Sequence, residues 1–178
     1  GGGGGDGGGG GGAGGGGVRR PLKAVVFSQW VGMLDLAERA VQRELGVRTV
    51  RLVGAMSLDQ RREALAAFRE DRRVRVMLLS LRAGNVGLNL TAARRVFLLD
   101  PWWNPAVEEQ AINRVHRIGQ PEEVSVVRLV VQGTVEEKML ELQGRKRRNA
   151  ERLLDDAAGA DEEASRQLRM SDLALCFE

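Results

Sequence analysis

FLLDPWWNPAVEEQAINRVHRIGQ, residues 97–120, passes from a strand into a helix that carries two arginines at a fixed spacing, and this junction decides how the chain is read. The apolar run Val96–Leu99 predicts a buried strand, which Asp100 and Pro101 end. Asn104 is a good N-cap, and Pro105 then falls at the first helical position, where its fixed φ suits the helix and its missing N–H costs nothing. At about 100° per residue, Val107, Ala111, Val115 and Ile118 form one apolar stripe, the expected buried face. Gln110, Arg114 and Arg117 form a second stripe beside it, while Glu109, Asn113 and His116 lie on the far side. An arginine at the edge of a core keeps its stem packed while its planar fork points into a cleft, which suits bidentate contact with phosphate oxygens. The same spacing also fits ordinary helix-surface charges, one of them paired with Glu108 or Glu109.

Outward from this junction the chain alternates strand and helix signals. Lys23–Phe27 predicts a strand, and a helix follows from about Trp30 to Leu45, with Leu34, Ala37, Val41 and Leu45 on one face and Gly46 as its stop. Thr49–Leu52 is a short strand. Ser57-Leu-Asp-Gln60 is a capping box opening a helix that turns Leu58, Leu65 and Phe68 inward. Val74–Ser80 and Val124–Val131 predict further strands, and Thr134-Val-Glu-Glu137 is a second capping box that starts a long helix towards Asp156. Regular alternation of this kind predicts an α/β fold, a parallel sheet with helices on both faces, with ligands at the carboxyl ends of the strands.

Composition allows this fold without selecting it. Of 178 residues, the first 17 include 15 glycines, a stretch too poor in side chains to order itself. Residues 1–18 are therefore expected to be disordered, either as a linker with a reach of roughly 23 Å or as an expanded repeat. Residues 19–157 are expected to form one domain, and 158–178 a tail in which Ser171–Phe177 docks. The net charge of +3 is mildly basic and permits nucleic acid as a partner. A lone Cys176 excludes an internal disulfide and a cysteine-cluster zinc site, and a lone His116 argues against metal catalysis, so no metal-ligating residue is assigned. No apolar run approaches the ~20 residues of a membrane span, and no charged-then-apolar leader is present, so a soluble intracellular protein is expected.

Candidate contacts cluster after the strands. Phe27-Ser28-Gln29-Trp30 follows the first; Ser28 is either a ligand contact or a helix cap beside a packed Trp30. Arg51-Leu-Val-Gly54-Ala-Met-Ser57 follows the second, with Arg61 and Arg62 either near a phosphate or solvated. Leu79-Ser-Leu-Arg82-Ala83-Gly84-Asn85-Val-Gly87-Leu-Asn-Leu-Thr-Ala-Ala93 follows the third, and its glycines let a backbone approach closely and offer N–H groups to phosphate oxygens. Trp102 is expected to pack and Trp103 to face a ligand. The Arg145-Lys-Arg-Arg148 run reads first as a solvated face, with contact to DNA or to a partner lobe as the alternative.

Taken together, Gln110-x-x-x-Arg114-x-x-Arg117-x-Gly119-Gln120 resembles motif VI of superfamily 2 helicases in the form used by SWI/SNF-type ATPases, and Asp100-Pro-Trp-Trp-Asn-Pro105 resembles the signature before it. The segments at Ser28 and at Leu79–Ala93 resemble motifs IV and V. The terminus resembles that of the repair-linked, RING-containing branch. The resemblance covers about residues 19 to 150 and implies the second RecA-like lobe of a DNA translocase.

In such a lobe Arg114 and Arg117 would act as catalytic arginine fingers, and Gln110 and Gly87 would join them on ATP. Ser28, Gln29, Gly54, Ser57, Arg82, Ala83, Gly84, Asn85 and Trp103 would meet the DNA backbone. The chain departs from the family pattern at Val53, Asn85 and Asn113, where aspartate, glycine and aspartate are usual. It contains no Gly-x-x-x-x-Gly-Lys-Ser/Thr and no Asp-Glu-x-His, so ATP and its Mg would be held mainly by a first lobe on another segment or chain. The implied partners are double-stranded DNA, that first lobe, and nucleosome or repair proteins, with no membrane; the implied location is nuclear. The alternative is a non-catalytic DNA-binding or scaffolding module that has lost the first lobe.

Overall fold

The computed structural model describes residues 21–155, apart from 82 and 84–86. In chain order the elements are β1 (Ala24–Ser28), α1 (Val31–Leu45), β2 (Arg48–Leu52), α2 (Leu58–Glu70), β3 (Val74–Ser80), β4 (Arg95–Leu98), α3 (Pro105–Ile112), β5 (Ser125–Arg128) and α4 (Val135–Asp155). The strands form one sheet in the order β2-β3-β1-β4-β5, and every neighbouring pair is parallel. The expected α/β architecture is therefore present. The glycine-rich residues 1–18 and the tail at 158–178 lie outside the described residues, as do Arg82, Gly84 and Asn85.

Side-chain alternation explains why both faces are covered. Along β1, Val25 and Phe27 enter one apolar cluster with Phe68 of α2 and Ala111 of α3, while Val26 enters the other with Leu34 of α1. Successive residues of a strand point to opposite faces, so a central strand buried on both sides must be apolar throughout. The pairing of β2 with β3 shifts register between Arg48 and Thr49, which leaves Arg75 as an extra residue on β3. Val74 and Met77 consequently share a face although they are three apart, and Val76 points to the other. Arg75 turns outward and donates to the Leu22 carbonyl (2.6 Å).

Local signals hold at most element ends. Gly46 closes α1 at φ 61°, a left-handed conformation that a side chain would strain, and its N–H donates to the Gln42 carbonyl (3.0 Å). Ser57 and Gln60 form the full reciprocal capping box of α2. At α4, Thr134 Oγ1 accepts from the Glu136 N–H (3.2 Å), but the Glu137 carboxylate reaches back one residue further than a standard box, to the Gly133 N–H (3.0 Å).

Several expectations are corrected. α3 stops at Ile112 instead of continuing to Ile118, and Ile118 is fully exposed instead of buried. The cause is a competing set of bonds. The Leu90 N–H takes the Arg114 carbonyl (3.0 Å), and the Gln120 amide donates to the carbonyls of Thr91 (3.0 Å) and Ala93 (2.8 Å). Arg114 and Val115 bond three residues back, to Ala111 and Ile112, so the chain leaves the helix in tight turns and reverses at Gly119, φ 98°. Arg114 and Arg117 thus sit on turns after α3. Leu45 and Leu58, expected inward, are exposed at the ends of their helices, and β5 covers only the middle of the predicted Val124–Val131 strand.

Candidate functional site

β1 leads through α1 to β2 on one side of the sheet, whereas β4 leads through α3 to β5 on the other. The connections therefore diverge between β1 and β4, and the crevice at such a switch point is where open parallel sheets bind ligands. Asp100 occupies that point. It is buried, and one carboxylate oxygen accepts from the Gln29 N–H (2.9 Å) while the other accepts from the Ser28 hydroxyl. The Ser28 carbonyl in turn accepts from the Leu81 N–H (3.0 Å), so the exits of β1, β3 and β4 are tied together. Burial, followed in weight by the opposing bonds from Ser28 and Gln29, leaves the Asp100 carboxyl above the ordinary carboxylate range.

Ser28 is completely buried, and its hydroxyl also accepts from the Trp30 N–H (3.0 Å). What this knot presents outward is Gln29, half-buried, and Trp30, which is 63% exposed and not packed. Ala83 is likewise buried, with its N–H held by Ser80 Oγ (3.2 Å). Gly54 and Ser57 are exposed beyond β2. Arg61 donates to the carbonyls of Gly54 (3.0 Å) and Met56 (3.1 Å) and so braces that loop, while Arg62 faces Asp59 (3.5 Å). Val53, standing where the family usually has aspartate, packs against the α1-side cluster.

The second group gathers at the turns after α3. The Leu90–Arg114 bond and the Gln120 bonds join the loop that carries exposed Gly87 to the arginine turns. Val115 is fully buried between the arginines, which fixes the turn from inside. Arg114 is half-buried, and its Nε is a buried donor with no hydrogen-bond partner. Arg117 and Gln110 are exposed. Among the described residues neither arginine is paired with a carboxylate, in contrast to Arg51, Arg94 and Arg128. Asn113, another departure from the family, is the exposed C-cap of α3.

Sequence reading missed Glu108. It is not a surface partner for the finger arginines but is fully buried, accepting from the Trp102 N–H (2.7 Å), Gln143 Nε2 (2.7 Å) and Arg128 Nε (3.0 Å). Its spacing to Ala111 and Val115, at i+3 and i+7, was the available signal. Trp102 packs on the core, as expected, and Trp103 stands 53% exposed. A cavity of about 650 Å³ opens at the amino ends of the strands beside Lys23, Arg69, Arg72 and Arg94. Lys23 there is spent on the Phe68 and Asp71 carbonyls and Arg94 on Glu122.

The helicase conserved C-terminal domain matches residues 18–119. DNA repair protein RAD5A of Arabidopsis thaliana is 47% identical over 155 residues, 87% of this chain and 14% of that protein. Helicase-like transcription factor CHR28 of the same plant is 46% identical over 159 residues, 88% of this chain and 16% of that protein. The chain thus spans a small fraction of these relatives. Among solved structures, the C-terminal part of the Fun30 ATPase domain superposes with a TM-score of 0.66 at 33% identity, covering 68% of this chain and 39% of that one. The Sulfolobus solfataricus SWI2/SNF2 ATPase core domain gives 0.60 at 32%, covering 83% and 30%.

Proposed function

The chain belongs to the helicase C-terminal domain family, in the form found in SNF2-type ATPases, and from that premise we propose that it is the lobe that completes, but does not make, the ATP site of a double-stranded DNA translocase. The observation that carries this reading is the state of Arg114 and Arg117. A buried guanidinium nitrogen without a partner, as at Arg114 Nε, is costly unless something external meets it, and among the described residues neither side chain is paired with a carboxylate. This donor set fits the terminal phosphates of ATP, with Gln110 and the Gly87 backbone beside them.

Bound with magnesium to a first lobe, ATP would supply the transferable phosphoryl group and the free energy of its hydrolysis. This chain's residues would bind and orient. Arg114, half-buried and anchored through its carbonyl, holds one fork in place; Arg117, exposed, reaches across the cleft. On the carboxyl edge of the sheet Gln29, Gly54, Ser57 and Trp103 would meet the DNA backbone, and Arg82, Gly84 and Asn85 would join them there. Ser28, with Asp100, and Ala83, with Ser80, would hold those loops in shape from within. Nuclear DNA as the substrate, and nucleosomal or repair proteins as partners, belong to the same proposal.

The test is made on the chain itself. The 178-residue chain is expected to bind duplex DNA without sequence preference, with affinity falling steeply as salt rises, because backbone contacts release counterions. It is expected to hydrolyse ATP no faster than background, with or without that DNA. DNA-stimulated turnover by the chain alone would contradict the division of labour between lobes.

A further inference from the structure

Glu108 is a carboxylate with no exposed surface, in the middle of α3, and it accepts hydrogen bonds from three separate segments. One oxygen takes the Trp102 N–H (2.7 Å) and Gln143 Nε2 of α4 (2.7 Å), and the other takes Arg128 Nε at the end of β5 (3.0 Å). Gln143 Nε2 also donates to the Trp102 carbonyl, so both backbone polar groups of Trp102 are fixed from the same place. An amide at 108 could not accept on both sides, whereas the two oxygens of a carboxyl group can.

The clamp controls what stands next to it. Trp103 follows Trp102 directly, with its ring tilted 42° at a centroid distance of 6.4 Å and more than half exposed. Lys146 follows Gln143 by three residues on the same face of α4, and its Nζ lies over the Trp103 ring at 4.7 Å from the centroid. One buried group therefore sets both the aromatic and the cation of a single pair, in which the ring is exposed and the lysine half-buried.

Resting on the DNA reading above, we propose that Trp103 and Lys146 form one composite contact for the DNA backbone, the ring against a sugar or base face and the ammonium near a phosphate, and that Glu108 is the positioning residue that aligns them. The full chain carries the test, as duplex-DNA affinity for Glu108→Gln, Trp103→Ala and the two combined. Each single change is expected to weaken binding about tenfold, and the double change to weaken it by clearly less than the two losses combined, because Glu108 acts through the pair of which Trp103 is one half. Losses that add would overturn the positioning role while leaving the DNA reading in place. Wild-type affinity in Trp103→Ala would overturn the composite contact, and absence of duplex binding by the unsubstituted chain would overturn the reading beneath it.

A readout independent of DNA covers the case in which Glu108→Gln folds poorly. In a Trp30→Phe background, emission reports only Trp102 and Trp103. Gln143→Met keeps the side-chain volume and the carboxylate but removes the shared donor. It is expected to red-shift that emission at unchanged helix content and to lower DNA affinity in the same direction as Glu108→Gln. An unmoved spectrum with unmoved affinity would overturn the proposal.

Discussion

Asp100 shows what a single residue contributes here. Reading it as the end of a strand captures its backbone role and misses its side chain, because its partners Ser28 and Gln29 are more than seventy residues away in the chain. Its carboxyl is raised by burial, only partly offset by those two bonds. A carboxyl with a raised folded-state pKa favours the folded state in its protonated form, so its contribution is present below the ordinary value of 3.8 and is lost as pH rises through the raised value. Asp100→Asn removes this dependence. Thermal midpoints measured from acid pH to neutrality should therefore fall less with rising pH in the variant than in the parent chain, and an unchanged pH profile would show that Asp100 is not the group responsible. Glu108 was hidden for a related reason: helical spacing places it beside Ala111, but only the tertiary partners Arg128 and Gln143 make a buried carboxylate tolerable there.

Elements were legible where the signal is local. Val74–Ser80 is the strand its sequence predicts, and the Ser57–Gln60 box and the Gly46 stop are present because each is made within a few residues of chain. Ser57→Ala should cost about 1 kcal/mol, since it leaves a first-turn N–H without its acceptor, and chemical denaturation should show this as a lower midpoint at unchanged slope. The arginine helix was misread for the converse reason. Its periodicity runs on to Ile118, yet α3 ends at Ile112 because Leu90, Thr91 and Ala93, on a distant loop, capture Arg114 and Gln120. Turns place the two arginines on an irregular and partly exposed stretch, where loop residues more often carry function than packing. Gly87 belongs to the same assembly, so the group expected to meet ATP is joined by hydrogen bonds although a long loop separates its parts.

At the scale of the molecule, the alternation of elements was enough to predict a parallel sheet covered on both faces, and the order β2-β3-β1-β4-β5 then places the divergence of connections at Ser28 and Asp100. Sequence could not supply that order, which depends on which strand pairs with which across long separations. The fold gives the chain two candidate edges: the carboxyl ends of the strands, where Gln29, Trp30 and Trp103 stand, and the turns after α3, where Arg114 and Arg117 stand. α3 links them, beginning two residues after Trp103 and ending two residues before Arg114, with Glu108 clamped between. As proposed above, this lobe lends its arginines to a nucleotide held elsewhere. That role is tested most directly by the rate of ATP hydrolysis at saturating duplex DNA when this chain is joined to a nucleotide-binding first lobe of its family, with and without Arg117→Ala. A loss of about a thousandfold or more, with DNA affinity nearly unchanged, is expected. Hydrolysis at the unsubstituted rate would contradict that role.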